Sequence, residues 1–344
     1  TEICEKKFLI HKLKMSWKVA VIGASGQIGS ALCRELVRQG YEVNALVRND
    51  CPAINGLPLK VCSGNVLDKD SLIRLMDECN VVIHTAANIE LGYRFSQSLY
   101  NVNVTGAKNV LEAAEECGVQ KVLLFSSVHV FDQKPSERIL DESRNFVGNN
   151  SVFYDQTKRE AHLLGMSAAE AGQDVVILCP TSVVGPPDFK YSHIGKAVYD
   201  IYTGRVPAVV KGGFDFVDLR DVVQASINAI HHGRSGEAYI LGGKYHTVKE
   251  FADLIYAHKE LERRMTELPA SVAIAALPVV KFWTRLTGKD SFYDKVYIDI
   301  LQDGNRYISS EKAKKELRFS PRPLSETLED LIAWFIEQGK LQTR

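Results

Sequence analysis

Residues 17–39, WKVAVIGASGQIGSALCRELVRQ, decide the fold of this 344-residue chain. Residues 19–22 form a short apolar run rich in β-branched side chains, which is typical of a strand buried on both faces. Glycines follow at once, and apolar residues then recur with a helical period from Ile28 to Val37. The pattern predicts a strand, a glycine turn and a helix.

The glycine turn is suited to binding a pyrophosphate. Gly23 can adopt the tight turn, Gly26 lets the backbone approach the phosphates, and Gly29 lets the helix pack closely on the strand. Backbone N–H groups at the start of the helix then face the anion. Because an ordinary glycine turn would have the same spacing, the chemistry further along the chain has to support the cofactor site. The residues predicted to contact the cofactor here are Gly23, Ser25, Gly26, Gln27, Ile28 and Gly29.

The composition describes an ordinary globular protein and excludes several classes of partner. Hydrophobic residues make up 45% of the chain and charged residues 24%. Basic and acidic residues number 42 each, so no net charge attracts nucleic acid or an anionic membrane. The seven cysteines are widely spaced without a C-x-x-C pair, and the histidines lack metal-ligand spacing. We therefore expect a cytoplasmic protein with free thiols and no metal site.

The chain alternates strand and helix patterns, which predicts an α/β fold with a doubly wound parallel sheet and ligands at its carboxyl edge. We expect a dinucleotide-binding core over residues 16–184, with residues 214–242 returning to it. The remaining residues, 185–213 and 243–344, are expected to form a smaller, discontinuous substrate lobe and a C-terminal helix. Residues 1–15 lack a signal-peptide pattern and are expected to be a disordered or artificial extension.

Residues 268–283, LPASVAIAALPVVKFW, are conspicuously apolar. The segment is shorter than the roughly 20 residues that a membrane-spanning helix needs, and prolines interrupt it. Three interpretations stay open: a core helix, a lid over a hydrophobic substrate, or a patch that touches a membrane or a partner.

The residue after the second predicted strand is expected to set cofactor preference. An acidic residue there would bind the adenosine ribose and repel a 2′-phosphate. The chain has Arg48, which can pair with a phosphate. The sequence therefore favours NADP(H), with NAD(H) possible, and the alternative is a solvated surface arginine.

Two further turns at the same edge are predicted to contact the cofactor. The side-chain carbonyl of Asn65 can accept a hydrogen bond from the adenine amino group, and Val66 lies beside it. Residues 81–87 read as an apolar strand that ends in Ala86 and Ala87. Small side chains at that end leave room for a ligand against the backbone.

The candidate reaction chemistry lies in the middle of the chain. Ser126 and Ser127 end a predicted strand, and Tyr154 and Lys158 are spaced to share one face of a helix. A phenol has a reference pKa near ~10, and a nearby ammonium favours the phenolate, so the pair can exchange a proton with a substrate oxygen. The alternative is that Tyr154 only packs.

Together these motifs resemble those of extended short-chain dehydrogenases/reductases. The likeness runs from about residue 18 to the carboxyl end and includes TGAKNVLEAAEECGVQKVLLFSS and VVILCPTSVVGP. It implies that Ser127 hydrogen-bonds the substrate oxygen, Tyr154 acts as acid and base, and Lys158 assists the tyrosine and binds the ribose. It also implies that Asn103 supports the site. Three residues would border the nicotinamide: Pro180, Thr181 and Val183.

Within this family, VVIHTAANIELG resembles the 3β-hydroxysteroid dehydrogenase branch, and ALVRND resembles the dihydroflavonol reductases. The resemblance implies an NAD(P)-dependent oxidoreductase that interconverts a ketone or aldehyde with its alcohol, on a hydrophobic small molecule. A nucleotide-sugar epimerase or dehydratase is the alternative, although Cys179 stands where several epimerases have asparagine. A cofactor-sensing binding protein is a third. A homodimer through helices near 98–117 and 154–171 is possible.

Overall fold

The computed structural model of the chain describes residues 17–258, 264–275, 277–278 and 295–342. The expected extension, residues 1–15, lies outside these residues. The decisive N-terminal stretch folds into β1 (Lys18–Ile22) and α1 (Gln27–Arg38), followed by β2 (Glu42–Val47). The predicted strand, glycine turn and helix are therefore confirmed.

Strands and helices continue to alternate up to the middle of the chain. They are β3 (Lys60–Ser63), α2 (Lys69–Met76), β4 (Val81–His84), α3 (Gln97–Tyr100), α4 (Gly106–Glu116), β5 (Lys121–Phe125), α5 (Phe153–Glu170) and β6 (Val175–Pro180).

The second half of the chain has shorter strands between helices. Its elements are β7 (Ser182–Val184), α6 (His193–Tyr202), β8 (Ala208–Val210), β9 (Gly213–Asp218), α7 (Leu219–His232), β10 (Ala238–Leu241), β11 (Lys244–Thr247), α8 (Val248–His258), β12 (Thr266–Leu268), α9 (Lys295–Asp303), α10 (Glu311–Leu317) and α11 (Leu324–Glu337).

The main sheet has seven strands in the order β10-β6-β5-β4-β1-β2-β3, and every neighbouring pair is parallel. In register, Val21 of β1 lies between Ala45 of β2 and Ile83 of β4. Parallel strands place all their carboxyl ends at one edge, and the order reverses beside β1, where such folds bind their ligands. The predicted doubly wound parallel sheet is confirmed.

Both faces of the main sheet are covered by apolar packing. Val21 and Ile83 belong to one buried cluster, which Leu36 of α1 and Val222 of α7 complete. Ile22 and its same-face neighbours belong to a second cluster with residues of α2, α4 and α5. Full burial of one such side chain contributes about 1.5–3 kcal/mol. The two clusters hold the carboxyl edge of the sheet rigid under the candidate site.

Two smaller sheets lie outside the main one. β7, β9 and β11 form a three-stranded sheet, and β8 pairs with β12. We predicted that residues 214–242 return to the dinucleotide-binding core. Within that range, α7 packs in the main core and β10 joins the main sheet, whereas β9 pairs with β7 and β11. The domain boundaries themselves stay a prediction.

The apolar segment 268–283 is described only in part. Residues 270–275 are helical, with Ala273 buried against Val210 and Ile298. Val272 on the same helix is 50% exposed. One face of this short helix therefore packs and another stays on the surface, while residues 279–283 lie outside the described residues. Within the described ranges, no helix has the length and hydropathy needed to cross a bilayer.

The predicted helix 98–117 is interrupted. α3 and α4 are joined by a π-helical turn, Asn101–Thr105, so the helix carries one wide turn. Gly106 follows this turn, and a Cβ there would lie 2.7 Å from the Val66 side chain. Local helical periodicity cannot reveal a wide turn, because tertiary contacts of Asn103 and Gly106 favour it.

Candidate active site

The glycine turn between β1 and α1 excludes side chains at two positions. Gly23 has a φ of +90°, and a Cβ there would lie 2.6 Å from the backbone N of Ala86. A Cβ on Gly29 would lie 2.2 Å from the carbonyl oxygen of Gly23. The turn is therefore pressed between the start of α1 and the chain that follows β4.

The N-terminus of α1 is open to a ligand. Gly26 caps the helix without a side-chain hydrogen bond, no acidic residue lies in the first turn, and Gly26 is exposed. Ser25 and Ile28 beside it are half-buried. The Gln27 side chain crosses the turn and donates from Nε2 to the Gly185 carbonyl oxygen at 3.0 Å. These residues fit the diphosphate of a dinucleotide, because they offer backbone N–H groups and no competing carboxylate.

Three residues are predicted at the adenosine end of the site: Arg48, Asn65 and Val66. Arg48 follows β2 and is exposed, and its guanidinium makes no ion pair with another described residue. The side-chain carbonyl of Asn65, predicted to accept from adenine, already accepts from the Leu67 N–H at 2.8 Å. An asparagine that bonds its own backbone two residues on stabilises a turn. Val66 is buried, and its carbonyl accepts from Asn109 Nδ2 at 3.0 Å.

The segment after β4 differs from the prediction for residues 81–87. β4 ends at His84, and the Thr85 hydroxyl then donates a hydrogen bond to the Ile22 carbonyl oxygen at 2.9 Å. Ala86 is half-buried against the glycine turn, whereas Ala87 is exposed. The strand ends before the two alanines are reached, so Ala86 and Ala87 line the edge of the site as loop residues.

The two serines after β5 point to different partners. Ser126 Oγ lies 3.0 Å from His162 Nδ1 in the core. Ser127 Oγ instead accepts a hydrogen bond from the His129 N–H at 3.2 Å. Because that contact uses the oxygen as acceptor, the Ser127 hydroxyl proton is left to donate. Ser127 rather than Ser126 is therefore the candidate ligand of a substrate oxygen.

Tyr154 and Lys158 lie one turn apart near the start of α5. Lys158 is buried, and its Nζ donates to the carbonyl oxygen of Phe125 at 2.5 Å. Phe125 ends β5 and directly precedes the two serines. The contact therefore ties the Tyr154–Lys158 turn to the strand that carries Ser127.

The electrostatics of this pair differ from the prediction. Burial lowers the pKa of Lys158 to about 8, against a smaller opposite effect of Cys179. Burial, and then the Asp155 carboxylate, raises the pKa of Tyr154 above its ordinary value. We expected the Lys158 ammonium to favour the phenolate, but loss of hydration is the main influence on the pKa of Tyr154. Tyr154 is therefore a protonated phenol at neutral pH.

Asn103 projects from the π-helical turn into the site without touching the predicted chemistry directly. Its Oδ1 accepts from the Asn88 N–H at 2.8 Å, and its Nδ2 donates to the Asn88 carbonyl oxygen at 3.0 Å. The same Nδ2 donates to Thr157 Oγ1 at 3.0 Å. Thr157 lies between Tyr154 and Lys158 on α5. Asn103 therefore joins the segment after β4 to α5.

The residues predicted beside the nicotinamide follow β6. Pro180 is the buried last residue of β6, and the Thr181 N–H donates to the Leu241 carbonyl oxygen at 3.1 Å. Val183 is half-buried in β7, opposite Val217 of β9. The end of β6 and the start of β7 thus form one wall at the carboxyl edge of the sheet.

A narrow cleft connects this wall with the turn after Ser127. Residues from β5–α5, β6–β7, β9 and the segment after α9 line it: Val128, His129, Gln133, Thr181, Ser182, Phe214, Asp215, Gly304, Asn305 and Ile308. Asp215 at its base accepts from the Gly243 N–H at 2.7 Å, and burial raises its pKa to about 6. The residues that line the cleft come from both halves of the chain.

Sequence reasoning missed three titratable residues near the centre. His129 lines the cleft, and Asp155 directly follows Tyr154. Burial raises the pKa of Asp155 to about 6, against an opposite effect of His129. His84 is buried at the end of β4, and burial, aided by Lys158, lowers its pKa to about 3. The sequence did offer a signal for two of them, because His129 lies close to Ser127 and Asp155 directly follows Tyr154.

Metal-ligating residues do not gather at this edge. Within the described ranges, no group of three His, Cys, Asp or Glu side chains could hold an ion. The six described cysteines, all except Cys4, are free.

Comparison with known proteins agrees with this arrangement. The sequence profile of the NAD dependent epimerase/dehydratase family matches residues 19–242. The sterol demethylase protein B of Methylococcus capsulatus is 30% identical over 93% of this chain and 99% of its own length. Cinnamoyl-CoA reductase 1 of Arabidopsis thaliana is 30% identical over 65% of this chain and 69% of its own length.

Solved structures show the same fold. The crystal structure of gox2253 superposes with a TM-score of 0.78 and 27% identity, over 95% of this chain and 100% of that chain. The predicted resemblance is thereby confirmed. The chain belongs to the NAD dependent epimerase/dehydratase family and is an enzyme of the extended short-chain dehydrogenase/reductase type.

Proposed function

We propose that this enzyme is an NADP(H)-preferring oxidoreductase that interconverts a ketone or aldehyde with its alcohol on a hydrophobic substrate. One observation carries the proposal: the Lys158–Phe125 contact joins the helical turn of Tyr154 to the end of β5, two residues before Ser127. This contact supports a shared site in which a proton donor, a hydrogen-bond donor and a buried cation would act together at the carboxyl edge of the sheet. That set suits proton transfer to a carbonyl oxygen.

In the direction of reduction, each residue would have a distinct role. A nicotinamide bound at this edge would supply hydride to the carbonyl carbon. Ser127 donates its hydroxyl proton in a hydrogen bond to the carbonyl oxygen, which holds that oxygen in place. Tyr154, protonated at neutral pH, transfers its proton to the oxygen as negative charge develops there. The Lys158 ammonium then stabilises the phenolate that remains.

The cofactor would bind along the same edge. The glycine turn offers backbone N–H groups for the diphosphate, and Lys158 would reach the ribose. Arg48 is exposed and free of ion pairs with other described residues, so it can pair with a 2′-phosphate. This arrangement supports NADP(H) over NAD(H). Pro180, Thr181 and Val183 would border the nicotinamide.

Apolar side chains at the entrance support a hydrophobic substrate. Three large apolar residues of the segment after β4 lie on the surface: Ile89 is 54% exposed, Tyr93 is 50% exposed and Phe95 is 64% exposed. The same segment contacts the catalytic helix, since the Phe153 N–H donates to the Gly92 carbonyl oxygen at 2.7 Å. The sterol demethylase and cinnamoyl-CoA reductase names of two relatives also favour a bulky, largely apolar molecule.

A substrate panel tests this proposal. Steady-state rates are measured with NADPH and NADH over sterol ketones, aromatic ketones, aliphatic ketones and aldehydes, with UDP-glucose as a nucleotide-sugar control. We expect NADPH-dependent reduction of at least one hydrophobic carbonyl and no isomerisation of UDP-glucose. Isomerisation of the sugar without turnover of any carbonyl would reverse the proposal in favour of an epimerase.

The location and assembly of the enzyme stay predictions from the sequence. We propose a cytoplasmic enzyme and a homodimer through α4 and α5, where Leu163 of α5 is 39% exposed. Sedimentation at micromolar concentration would test the assembly.

A further inference from the structure

We propose that His129 recognises a second oxygen substituent of the substrate, a hydroxyl or carbonyl α or β to the reacting carbonyl. This inference rests on the proposed function and adds a specificity residue to it. His129 has no part in the predicted proton transfer or in cofactor binding.

The first support is the position of the imidazole. His129 lies in the short helical turn Val128–Val130, which Ser127 caps. The backbone N–H of His129 is the hydrogen-bond donor to Ser127 Oγ, at 3.2 Å. The same residue also lines the cleft. His129 is therefore joined through its backbone to the hydroxyl that would hold the reacting oxygen, two residues away.

The second support is that the other amides lining the cleft are engaged. Gln133 Nε2 donates to the carbonyl oxygens of Val128 and Phe131 at 3.1 and 2.9 Å. Asn305 Oδ1 accepts from the Tyr307 N–H at 2.8 Å, and its Nδ2 donates to three backbone carbonyls. These amides shape the wall and have little capacity left for a ligand.

The His129 ring is different. No described residue hydrogen-bonds to its imidazole, although the ring is half-buried. Leaving a half-buried polar group unbonded is unfavourable, so a substrate group that bonds it gains affinity. Ser182 also lines the cleft with a free hydroxyl among the described contacts, but it is not coupled to Ser127.

The third support is the neighbouring carboxyl group. Asp155 lies in the first turn of α5, directly after Tyr154, and the charge of His129 acts on it. The His129 ring makes no hydrogen bond to this carboxylate, so both ring nitrogens stay open to a ligand. An imidazole can donate from one ring nitrogen and accept at the other, so it can bond a hydroxyl or a carbonyl oxygen.

A matched pair of substrates and two substitutions test the inference. The substrates are 1-phenyl-1,2-propanedione, which has an α-oxygen, and propiophenone, which lacks it. His129→Phe keeps a ring and removes hydrogen bonding, whereas His129→Gln keeps a donor and an acceptor. Both leave the backbone N–H to Ser127 in place. His232→Gln, exposed on α7, is the matched control.

We expect the parent and His232→Gln to prefer the diketone by about 10-fold or more in kcat/KM. His129→Phe should lower this ratio to below about 3-fold, and His129→Gln should retain part of it. The ratio between two substrates is insensitive to a general loss of folding, and thermal midpoints and NADPH affinity check folding directly.

The outcomes separate the two proposals. An unchanged preference in His129→Phe overturns the inference, and so does a parent that reduces other carbonyls but does not prefer the diketone. A parent that reduces no carbonyl of the panel counts against the proposed function instead.

Discussion

The Asn103 side chain makes two hydrogen bonds to the backbone of Asn88. Its Oδ1 accepts from the Asn88 N–H at 2.8 Å, and its Nδ2 donates to the Asn88 carbonyl oxygen at 3.0 Å. The amide also donates to Thr157 on the catalytic helix at 3.0 Å. One side chain thus sets the distance between the segment that exposes Ile89 and the helix that carries Tyr154.

Replacing Asn103 by alanine should lower kcat more than it raises KM. The change removes two hydrogen bonds from part-buried backbone groups of Asn88, at a cost of about 1–3 kcal/mol, and removes the Asn103 bond to Thr157, one of the contacts that join α5 to the segment after β4. We expect kcat to fall by about 10-fold or more, with a lower thermal midpoint. Steady-state kinetics and thermal melting check this. Asn55→Ala, exposed after β2, is the control, and equal effects in both variants would contradict the positioning role.

Gly29→Ala should impair both folding and dinucleotide binding. A Cβ at this position would lie 2.2 Å from the Gly23 carbonyl oxygen, so the turn must move away from the N-terminus of α1. We expect a lower thermal midpoint and NADPH affinity weaker by about 10-fold or more. Gly148→Ala is the control, because nothing lies within 4 Å of its added Cβ. Normal NADPH binding by Gly29→Ala would disprove a diphosphate site on this turn.

Arg48→Ala should change cofactor preference without changing the chemistry. Losing a charge-assisted contact to a 2′-phosphate costs about 1.5–3 kcal/mol, so KM for NADPH should rise about 10- to 100-fold. KM for NADH should stay within about 3-fold, since NADH lacks that phosphate. Arg74→Ala serves as the control, an exposed arginine 3.9 Å from Asp68. Equal rises for both cofactors would mean that Arg48 does not recognise the phosphate.

Lys158 should give the reduction rate a descending limb at alkaline pH. Its pKa is lowered to about 8, so the ammonium is charged below that pH and neutral above it. Because the charge stabilises the phenolate left on Tyr154, kcat for reduction should fall as pH rises through about 8.

Lys158→Met should remove that limb together with most of the activity. The variant removes a buried cation whose loss of hydration is unfavourable, so its thermal midpoint at pH 7 should equal or exceed that of the parent. Lys158 has a pKa of about 8 in the folded parent and an ordinary pKa of 10.5 in the unfolded chain, so the unfolded chain holds the Lys158 proton more tightly. As pH rises from about 8 toward 10.5, the parent should therefore gain stability relative to the variant. A parent profile that stays flat up to pH 10 would contradict this role.

Short-range patterns predicted much of this structure. The glycine turn, the parallel sheet and the shared helical turn of Tyr154 and Lys158 depend on local periodicity and on strand order, which the sequence contains. The interruption of the predicted helix 98–117 was missed because it depends on tertiary contacts. The π-helical turn accommodates Asn103, which bonds Asn88 and Thr157.

The raised pKa of Tyr154 illustrates the same limit. Sequence spacing places an ammonium near the phenol, but only packing determines how much water each group loses. Burial dominates for both residues. His129 was missed for a related reason, since its role depends on which neighbouring polar groups are already bonded.

The central claim is that Tyr154 gives its proton to a carbonyl oxygen beside a dinucleotide on the glycine turn. The most direct test is Tyr154→Phe, measured for NADPH affinity and for kcat on the best carbonyl of the panel. We predict that kcat falls by about 10²–10⁴-fold while NADPH affinity stays within about 3-fold. A variant that reduces the carbonyl as fast as the parent would contradict the account.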